Sequence, residues 1–266
     1  MKTITFYKYQ GTGNDFVMID NRTNFFPKDN VKLINFLCDR RFGVGGDGLI
    51  LLEHDATTEF KMVYYNADGN ESTMCGNGGR CIVAFANDLG VVNTKTTFNA
   101  IDGLHHAEIK EEHTIALQMI DVDKNSIEVT DASSFLFTGS PHHVEQVANL
   151  EKFKVFDTGK EIRYSNQYQP GGTNVNFVEP VKENHYRIRT YERGVEDETL
   201  SCGTGATAVA LAMYHTKHAS ATKIAIDVEG GNLEISFKED ATKYYNIHLV
   251  GPAKQVFKGE ISIDIE

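Results

Sequence analysis

Two cysteines that each precede a Gly-x-Gly segment carry the clearest chemical signal in this chain. Cys75 is followed by GNGGRCIVAFAND, and Cys202 is followed by GTGATAVALAMYH. A helix start has unpaired N–H groups and about half a positive charge, and glycine lets a ligand approach that backbone closely. Such an end binds anions and stabilises the thiolate of a cysteine placed there. Both segments therefore predict a reactive thiol beside an anion-binding helix end.

Two such thiols suit the exchange of a proton on a carbon that carries a carboxylate. One thiolate can remove the proton from one face of the carbon, and the other thiol can donate a proton to the opposite face. Positive helix ends would stabilise the charge that spreads onto the carboxylate, and groups that titrate near neutral pH suit proton transfer. We therefore interpret Cys75 and Cys202 as an acid/base pair, and Cys38 and Cys81 as packing residues.

Composition excludes several other classes of function. The chain has 266 residues and a formal net charge of -11, which argues against general nucleic-acid binding and against docking on anionic membranes. We find no secretory signal and no run approaching the ~18 apolar residues of a membrane span, so we expect a cytoplasmic protein. The four cysteines form no CxxC pair, so a zinc site or a redox pair has weak support in the sequence, and we expect no metal.

Short extended runs broken by Gly, Asn and Asp predict an α+β fold dominated by antiparallel sheet. Helices are predicted over Val31–Arg40, after Cys75 as far as Gly90, and after Cys202. Both helices that follow the cysteines are apolar enough to be buried. The predicted strands are Thr3–Tyr9, Phe16–Asp20, Leu49–Glu53, Phe60–Tyr65, His106–Ile109, Ile115–Met119, Glu161–Tyr164, Asn176–Val178, His185–Tyr191, Lys223–Val228, Leu233–Phe237 and Asn246–Val250.

Two internal echoes indicate that the chain consists of two related halves. NADGNESTMC before GNGGR resembles ERGVEDETLSC before GTGAT, and GTGNDFV resembles GGTNVNFV, which matches Asn14 with Asn174. We predict one lobe over residues 1–125 and a second over 126–250, with strands at about 250–266 crossing back to the first. The segment GVGGDG at residues 43–48 follows a predicted helix and precedes a strand, so we interpret it as a tight turn and not as a dinucleotide site.

The stretches GTGNDFVMID, YNADGNESTMCGNGGRC, SPHHV, GGTNVNF and YERGVEDETLSCGTGATA resemble the diaminopimelate epimerase family, from about residue 5 to about residue 255. The resemblance implies interconversion of LL- and meso-diaminopimelate without pyridoxal phosphate or metal, a step in lysine and peptidoglycan synthesis. It also implies a homodimer, and two pseudo-symmetric lobes, each an antiparallel sheet or barrel wrapped round a central helix, with the active site between them.

The family's functional residues match positions in this sequence one by one. The matches to catalytic residues are Cys75, Cys202, His142 and Glu192. The matches to substrate-binding residues are Asn14, Asn66, Gly76, Asn77, Asn174, Glu192, Arg193, Gly203 and Thr204. Within this set, Gly76, Asn77, Gly203 and Thr204 match the helix-end positions, and Arg193 suits a bidentate clamp on the distal carboxylate.

Two positions depart from the family pattern. Ser140 stands where the family commonly has Asn before Pro-His, and Gly48 stands where some members carry Gln. Both changes concern contacts that set which amino acid is accepted. They leave open another two-thiol racemase or isomerase of the same architecture that acts on a different amino acid. Alternatives from another class are an amino-acid binding protein without turnover and a thiol redox protein that uses Cys75 and Cys202.

Overall fold

The computed structural model describes residues 2–111 and 113–263 of the chain. The helices are α1 Val31–Cys38, α2 Gly76–Asp88, α3 Val155–Arg163 and α4 Gly203–His215, with 3-10 turns at Lys124–Ser126, Leu150–Lys152 and Asn166–Tyr168. The strands are β1 Lys2–Gly11, β2 Asn14–Asp20, β3 Gly48–Glu53, β4 Phe60–Asn66, β5 Glu71–Ser72, β6 Lys95–Ala100, β7 Gly103–Ile109, β8 Thr114–Gln118, β9 Val122–Asp123, β10 Glu128–Val129, β11 Ser133–Phe137, β12 Pro141–Gln146, β13 Asn174–Lys182, β14 His185–Glu192, β15 Asp197–Thr199, β16 Lys223–Val228, β17 Gly231–Glu239, β18 Lys243–Pro252 and β19 Lys254–Ile263.

The chain divides into two units, Met1–Leu117 with Pro252–Glu266, and Gln118–Gly251. In the first unit β2 pairs with β1 and β3, and β4 pairs with β3, β5 and β6. In the second unit β12 pairs with β11 and β13, and β14 pairs with β13, β15 and β16. The internal pairing pattern is the same in both units.

Among the described residues, each unit contains two parallel strand pairs, and each of these pairs is joined by one of the helices α1 to α4. The parallel pairs are β2 with β3 and β4 with β6 in the first unit, and β12 with β13 and β14 with β16 in the second. Parallel neighbours require a crossover connection, which α1, α2, α3 and α4 supply in that order. The predicted α+β class, dominated by antiparallel pairing, is confirmed, and these four parallel pairs make the sheets mixed.

The helices that follow the two cysteines are buried, as predicted. Every α2 residue from Gly76 to Ala86 is buried, and so is every α4 residue from Gly203 to Met213 except Thr204. Helix α2 packs on β1, β2 and β3, and α4 packs on β11, β12 and β13. Each helix start is thus held by the strands around it. No helix within residues 2–111 and 113–263 has both the length and the apolar character needed to span a membrane.

The predicted strand at Glu161–Tyr164 is wrong, because residues 161–163 lie in α3. Val155, Gly159 and Ile162 fall at helical spacing, and Val155 and Ile162 join the apolar cluster with Tyr191. Gly159 lies directly on Tyr191, since a Cβ at this position would be 2.4 Å from the Tyr191 Cβ. The four residues Glu161–Tyr164 are too few to show the helical period, which begins at Val155.

The match of Asn14 with Asn174, taken from the similarity of GTGNDFV to GGTNVNFV, is also wrong. Leu49 pairs with Tyr65 on the strand that leads to α2, and Val175 pairs with Tyr191 on the strand that leads to α4. Asn174, just before Val175, therefore corresponds to Gly48 and not to Asn14. Phe16 pairs with Gly48 as His142 pairs with Asn174, so the counterpart of Asn14 is Ser140.

Candidate functional site

Cys75 is the N-cap of α2, and its side chain caps the helix. The residue has extended backbone angles, φ −98 and ψ 150, and its Sγ accepts the Gly78 N–H at 3.2 Å. Glycine at position 78 keeps the sulfur close to the backbone, since a Cβ there would be 3.1 Å from Sγ. Cys75 is half-buried. The first turn of α2 therefore supports negative charge on this sulfur.

A chain of side chains beneath this helix start joins Asn14 to the helix. Asn77 Nδ2 donates to Asn14 Oδ1 at 3.3 Å, and Asn77 Oδ1 accepts from Arg80 at 2.9 Å. Arg80 is fully buried and also donates to Gly76 O at 3.2 Å and to Thr12 Oγ1 at 3.1 Å. Burial lowers the pKa of Arg80 to about 10, which leaves it charged at neutral pH. A buried positive charge thus lies one turn inside α2.

An ion-pair network holds Asn14 from its other side. Asn14 Nδ2 donates to Asp47 Oδ2 at 2.5 Å, and Arg40 binds both Asp47, at 2.7 Å, and Asp15, at 2.6 Å. Lys8 pairs with Asp15 at 2.7 Å. Burial alone would raise the pKa of Asp15, but the hydrogen bonds from Arg40 and Lys8 lower it to about 2. Asn14 therefore has both ends of its amide engaged.

Asn66 occupies a different position from the other candidate residues of this unit. It ends β4 as an exposed residue, and its backbone lies opposite Gly48. Its N–H donates to Asn70 O at 3.0 Å, which closes the turn that leads toward Cys75. The structure thus brings Asn14, Cys75, Gly76 and Asn77 to the α2 start and leaves the Asn66 side chain exposed at the end of the neighbouring strand.

Cys202 is the N-cap of α4, but its sulfur contacts a side chain where the Cys75 sulfur contacts a backbone N–H. Within the described residues, the Cys202 side chain accepts no hydrogen bond from the backbone N–H groups of the first turn of α4. Its Sγ lies 3.5 Å from Thr204 Oγ1. Cys202 is 6% exposed. Glycine is required at position 205, because a Cβ there would be 2.4 Å from Asn176 Oδ1. The α4 start is therefore packed tightly on β13.

His142 lies fully buried on β12 and reaches Cys202 through Thr204. Its Nε2 is 2.9 Å from Thr204 Oγ1 and 2.9 Å from Ser140 Oγ, and the two hydroxyl oxygens are 3.2 Å apart. Burial lowers the pKa of His142 to about 3, and the positive charge of Arg193 acts in the same direction. His142 is thus neutral at physiological pH and cannot act there as an imidazolium acid.

Asn176 determines which nitrogen of His142 carries the proton. Asn176 Nδ2 donates to the backbone carbonyl of His143 at 2.8 Å, which fixes the orientation of the amide. The second Nδ2 proton points at His142 Nδ1, 3.1 Å away, and Oδ1 accepts from Thr190 at 3.0 Å. His142 Nδ1 is therefore an acceptor, and the proton of the neutral ring lies on Nε2.

Asn174, Arg193 and Glu192 lie next to this cluster. Asn174 Oδ1 accepts the Arg193 N–H at 2.8 Å, while its Nδ2 donates to Ser140 Oγ at 3.1 Å and to Pro141 O at 2.9 Å. The guanidinium of Arg193 donates to Gly171 O at 3.3 Å. Glu192 accepts from the Thr199 hydroxyl at 2.9 Å. The α4 start thus gathers Cys202, Gly203 and Thr204 with the predicted residues of β12, β13 and β14.

Sequence reasoning missed Arg80 and Asn176. Arg80 is the one charged residue in the buried part of α2, an anomaly visible in the printed sequence. Asn176 stands two residues after Asn174, so strand periodicity puts both side chains on the same face. Within residues 2–111 and 113–263, no group of three or more His, Cys, Asp or Glu side chains is arranged to hold a metal.

Comparison with known proteins concerns the family to which this sequence is similar. The model of the diaminopimelate epimerase family matches residues 6–124 and 135–256. A diaminopimelate epimerase from Flavobacterium psychrophilum is 59% identical over 255 residues, which cover 96% of this chain and 99% of that protein.

Solved structures extend the comparison to the fold. A phenazine biosynthesis protein of the PhzF family from Bacillus anthracis superposes with a TM-score of 0.76 at 16% identity, covering 99% of this chain and 100% of that one. A hydroxyproline epimerase from Agrobacterium vitis superposes with a TM-score of 0.70 at 14% identity, covering 99% and 93%. At such identities these two structures indicate a shared fold, whereas the family match and the relative at 59% identity rest on sequence. The chain belongs to the diaminopimelate epimerase family.

Proposed function

We propose that this protein interconverts LL- and meso-diaminopimelate by cofactor-independent proton exchange, with Cys75 and Cys202 as the acid/base pair. The observation that carries the proposal is the presence of a cysteine at the N-cap of the buried helix in each of two units with the same strand pairing. As an isomerase of this kind, the protein would serve lysine and peptidoglycan synthesis.

The chemistry is a two-step proton transfer with no net change in the enzyme's proton count. One cysteine thiolate takes the α-proton and becomes a thiol, while the electron pair of the broken C–H bond spreads onto the α-carboxylate. The other cysteine thiol then donates its proton to the opposite face of the carbon and becomes a thiolate. The helix-start N–H groups, contributed by Gly76 and Asn77 and by Gly203 and Thr204, would stabilise the carboxylate as its charge grows.

The remaining predicted residues act on substrate position and on the thiols. Asn14, Asn66 and Asn174 would bind polar groups of the substrate, and Arg193 would clamp the distal carboxylate. Glu192 and His142 would support the thiols. His142 is neutral at physiological pH, so its support takes the form of hydrogen bonding.

We also propose a cytoplasmic homodimer as the working form. The homodimer is what the family resemblance implies. Sedimentation analysis of the purified protein measures its oligomeric state directly.

Deuterium exchange tests the proposed reaction and its substrate. The protein is incubated in D₂O with diaminopimelate, proline, histidine or glutamate, and α-deuterium is measured by mass spectrometry. We expect label in diaminopimelate and none in the other three. Label in proline or histidine would favour a different two-thiol racemase, and binding of diaminopimelate without any label would favour a binding protein.

A further inference from the structure

In the hydrogen-bond cluster at the α4 start, the donor in each bond can be assigned by counting the available protons. His142 Nε2–H has two possible acceptors, Ser140 Oγ and Thr204 Oγ1, both 2.9 Å away. Ser140 Oγ already accepts from Asn174, whose amide orientation is fixed because its Oδ1 accepts the Arg193 N–H. The hydroxyl protons of Ser140 and Thr204 each still need an acceptor.

The hydroxyl proton of Ser140 has one available acceptor among the described residues. Among its hydrogen-bond partners within residues 2–111 and 113–263, Asn174 Nδ2 and His142 Nε2 are donors, which leaves Thr204 Oγ1, 3.2 Å away, as the acceptor. Thr204 cannot donate back along the bond through which Ser140 donates to it. The acceptor that remains on this side of Thr204 is Cys202 Sγ, at 3.5 Å. The outcome is the same whichever hydroxyl accepts the His142 proton.

We propose that Thr204 and Ser140 are positioning residues that direct a hydroxyl proton onto the Cys202 sulfur and so stabilise its thiolate. Ser140 donates to Thr204, and Thr204 donates to the sulfur. The departure from Asn to Ser at position 140 thus places a hydroxyl in contact with Thr204. The inference deepens the proposed function, on which it rests, by assigning the support of one thiol to named hydroxyls.

The surroundings of Cys202 allow the effect of the hydroxyl to be isolated. Among the titratable and charged groups at this end of α4 are His142 on β12, Glu192, which ends β14, and Arg193, which follows it. On β16, which also packs against α4, Asp227 pairs with His185 at 2.8 Å and Lys223 pairs with Glu234 at 3.0 Å. Replacing Thr204 by Val leaves all of these groups in place and removes one hydroxyl.

The test is a titration of each thiol by NMR in protein labelled at cysteine Cβ with carbon-13. In Thr204→Val we expect the midpoint of the Cys202 titration to rise by about one pH unit, the usual effect of losing a hydrogen bond to a charged group. The Cys75 midpoint, measured in the same sample, should not move. Thr204→Ser, which keeps the hydroxyl, should restore the midpoint of the parent, and Ser140→Ala should shift it upward by less.

Three results would overturn the proposal: an unchanged Cys202 midpoint in Thr204→Val, an equal shift of Cys75, or a Thr204→Ser midpoint that follows the Val variant. A change of packing alone would not be restored by Ser, which is smaller than Val and Thr. The titration needs no turnover. Failure of the parent protein to label diaminopimelate in D₂O would therefore refute the proposed function while leaving the assignment of Thr204 to be judged on the titration.

Discussion

The starts of α2 and α4 share a backbone frame but surround their cysteines with different chemistry. Cys75 Sγ accepts a backbone N–H, whereas Cys202 Sγ lies against the hydroxyl of Thr204. The fifth residue after each cysteine bonds back to the first helical carbonyl in both helices. This residue is Arg80, bonded to Gly76 O at 3.2 Å, in α2, and Thr207, bonded to Gly203 O at 2.9 Å, in α4. A buried cation in one unit is thus replaced by a neutral hydroxyl in the other.

The same contrast extends to the strands beneath the helices. Asn14 meets Asn77 at 3.3 Å in the first unit, and their counterparts Ser140 and Thr204 meet at 3.2 Å in the second. The counterpart of the buried Phe16 is the buried His142. Equal topology therefore places two helix-start thiols in different surroundings, with a buried cation in the helix of Cys75 and neutral hydroxyls beside Cys202.

The largest expected effect tests whether both thiols are needed despite these differences. We expect Cys75→Ala and Cys202→Ala each to lower kcat by about 10³-fold or more, the usual contribution of a general acid or base. Single-turnover and steady-state rates with diaminopimelate measure this.

Cys38→Ala is the matched control. Burial raises the pKa of Cys38 to about 12, and the residue packs in the apolar cluster of its unit. It should turn over at the parent rate. If either active-site Ala variant did so as well, the acid/base roles would be wrong.

A smaller effect concerns His142, whose counterpart in the first unit is the non-titratable Phe16. His142→Phe gives the second unit the residue of the first and removes a buried group whose pKa is lowered to about 3. The unfolded chain binds this proton near pH 6.5 and the folded chain does not. The parent should therefore lose stability as pH falls from 6.5 toward 3, by about 1.4 kcal/mol per pH unit.

Urea unfolding at pH 7, 5.5 and 4.5 checks this slope. The variant will be less stable at every pH, because Asn176 and Thr204 lose a partner. Its loss between pH 7 and 4.5 should be smaller than that of the parent by about 2.5 kcal/mol. Parallel curves for the two proteins would show that His142 titrates normally.

The smallest effect compares the equivalent residues Arg80 and Thr207. Arg80→Met leaves Asn77 and Thr12 without their buried donor, and we expect a loss of about 2–3 kcal/mol of unfolding free energy together with a higher KM, because Asn14 is held through Asn77. Thr207→Val removes one hydrogen bond, and we expect about 1 kcal/mol with KM unchanged. Urea unfolding and steady-state kinetics on both variants measure the difference. Equal losses would mean that the cation has no special role in the first unit.

Most of the fold class and much of the candidate site were accessible from the sequence, for local reasons. The helix-start signals at Cys75 and Cys202 depend on neighbours within one turn, and both helices form where predicted. The strand predicted at Glu161–Tyr164 failed because the packing of Val155 and Gly159 on distant strands decides its structure. The mixed strand order likewise depends on pairing between segments far apart in sequence.

By itself, the sequence determined the family, the two helix-start thiols and the residue types available to support them, because these are properties of short, contiguous motifs. Only the tertiary structure decided which support each thiol receives. Gly48 became the counterpart of Asn174 and Ser140 that of Asn14 because parallel strand register brings together residues more than thirty positions apart. Burial lowers the pKa of both Arg80 and His142, far enough to make His142 neutral but not Arg80, and it is a property of packed strands and helices that no local pattern contains.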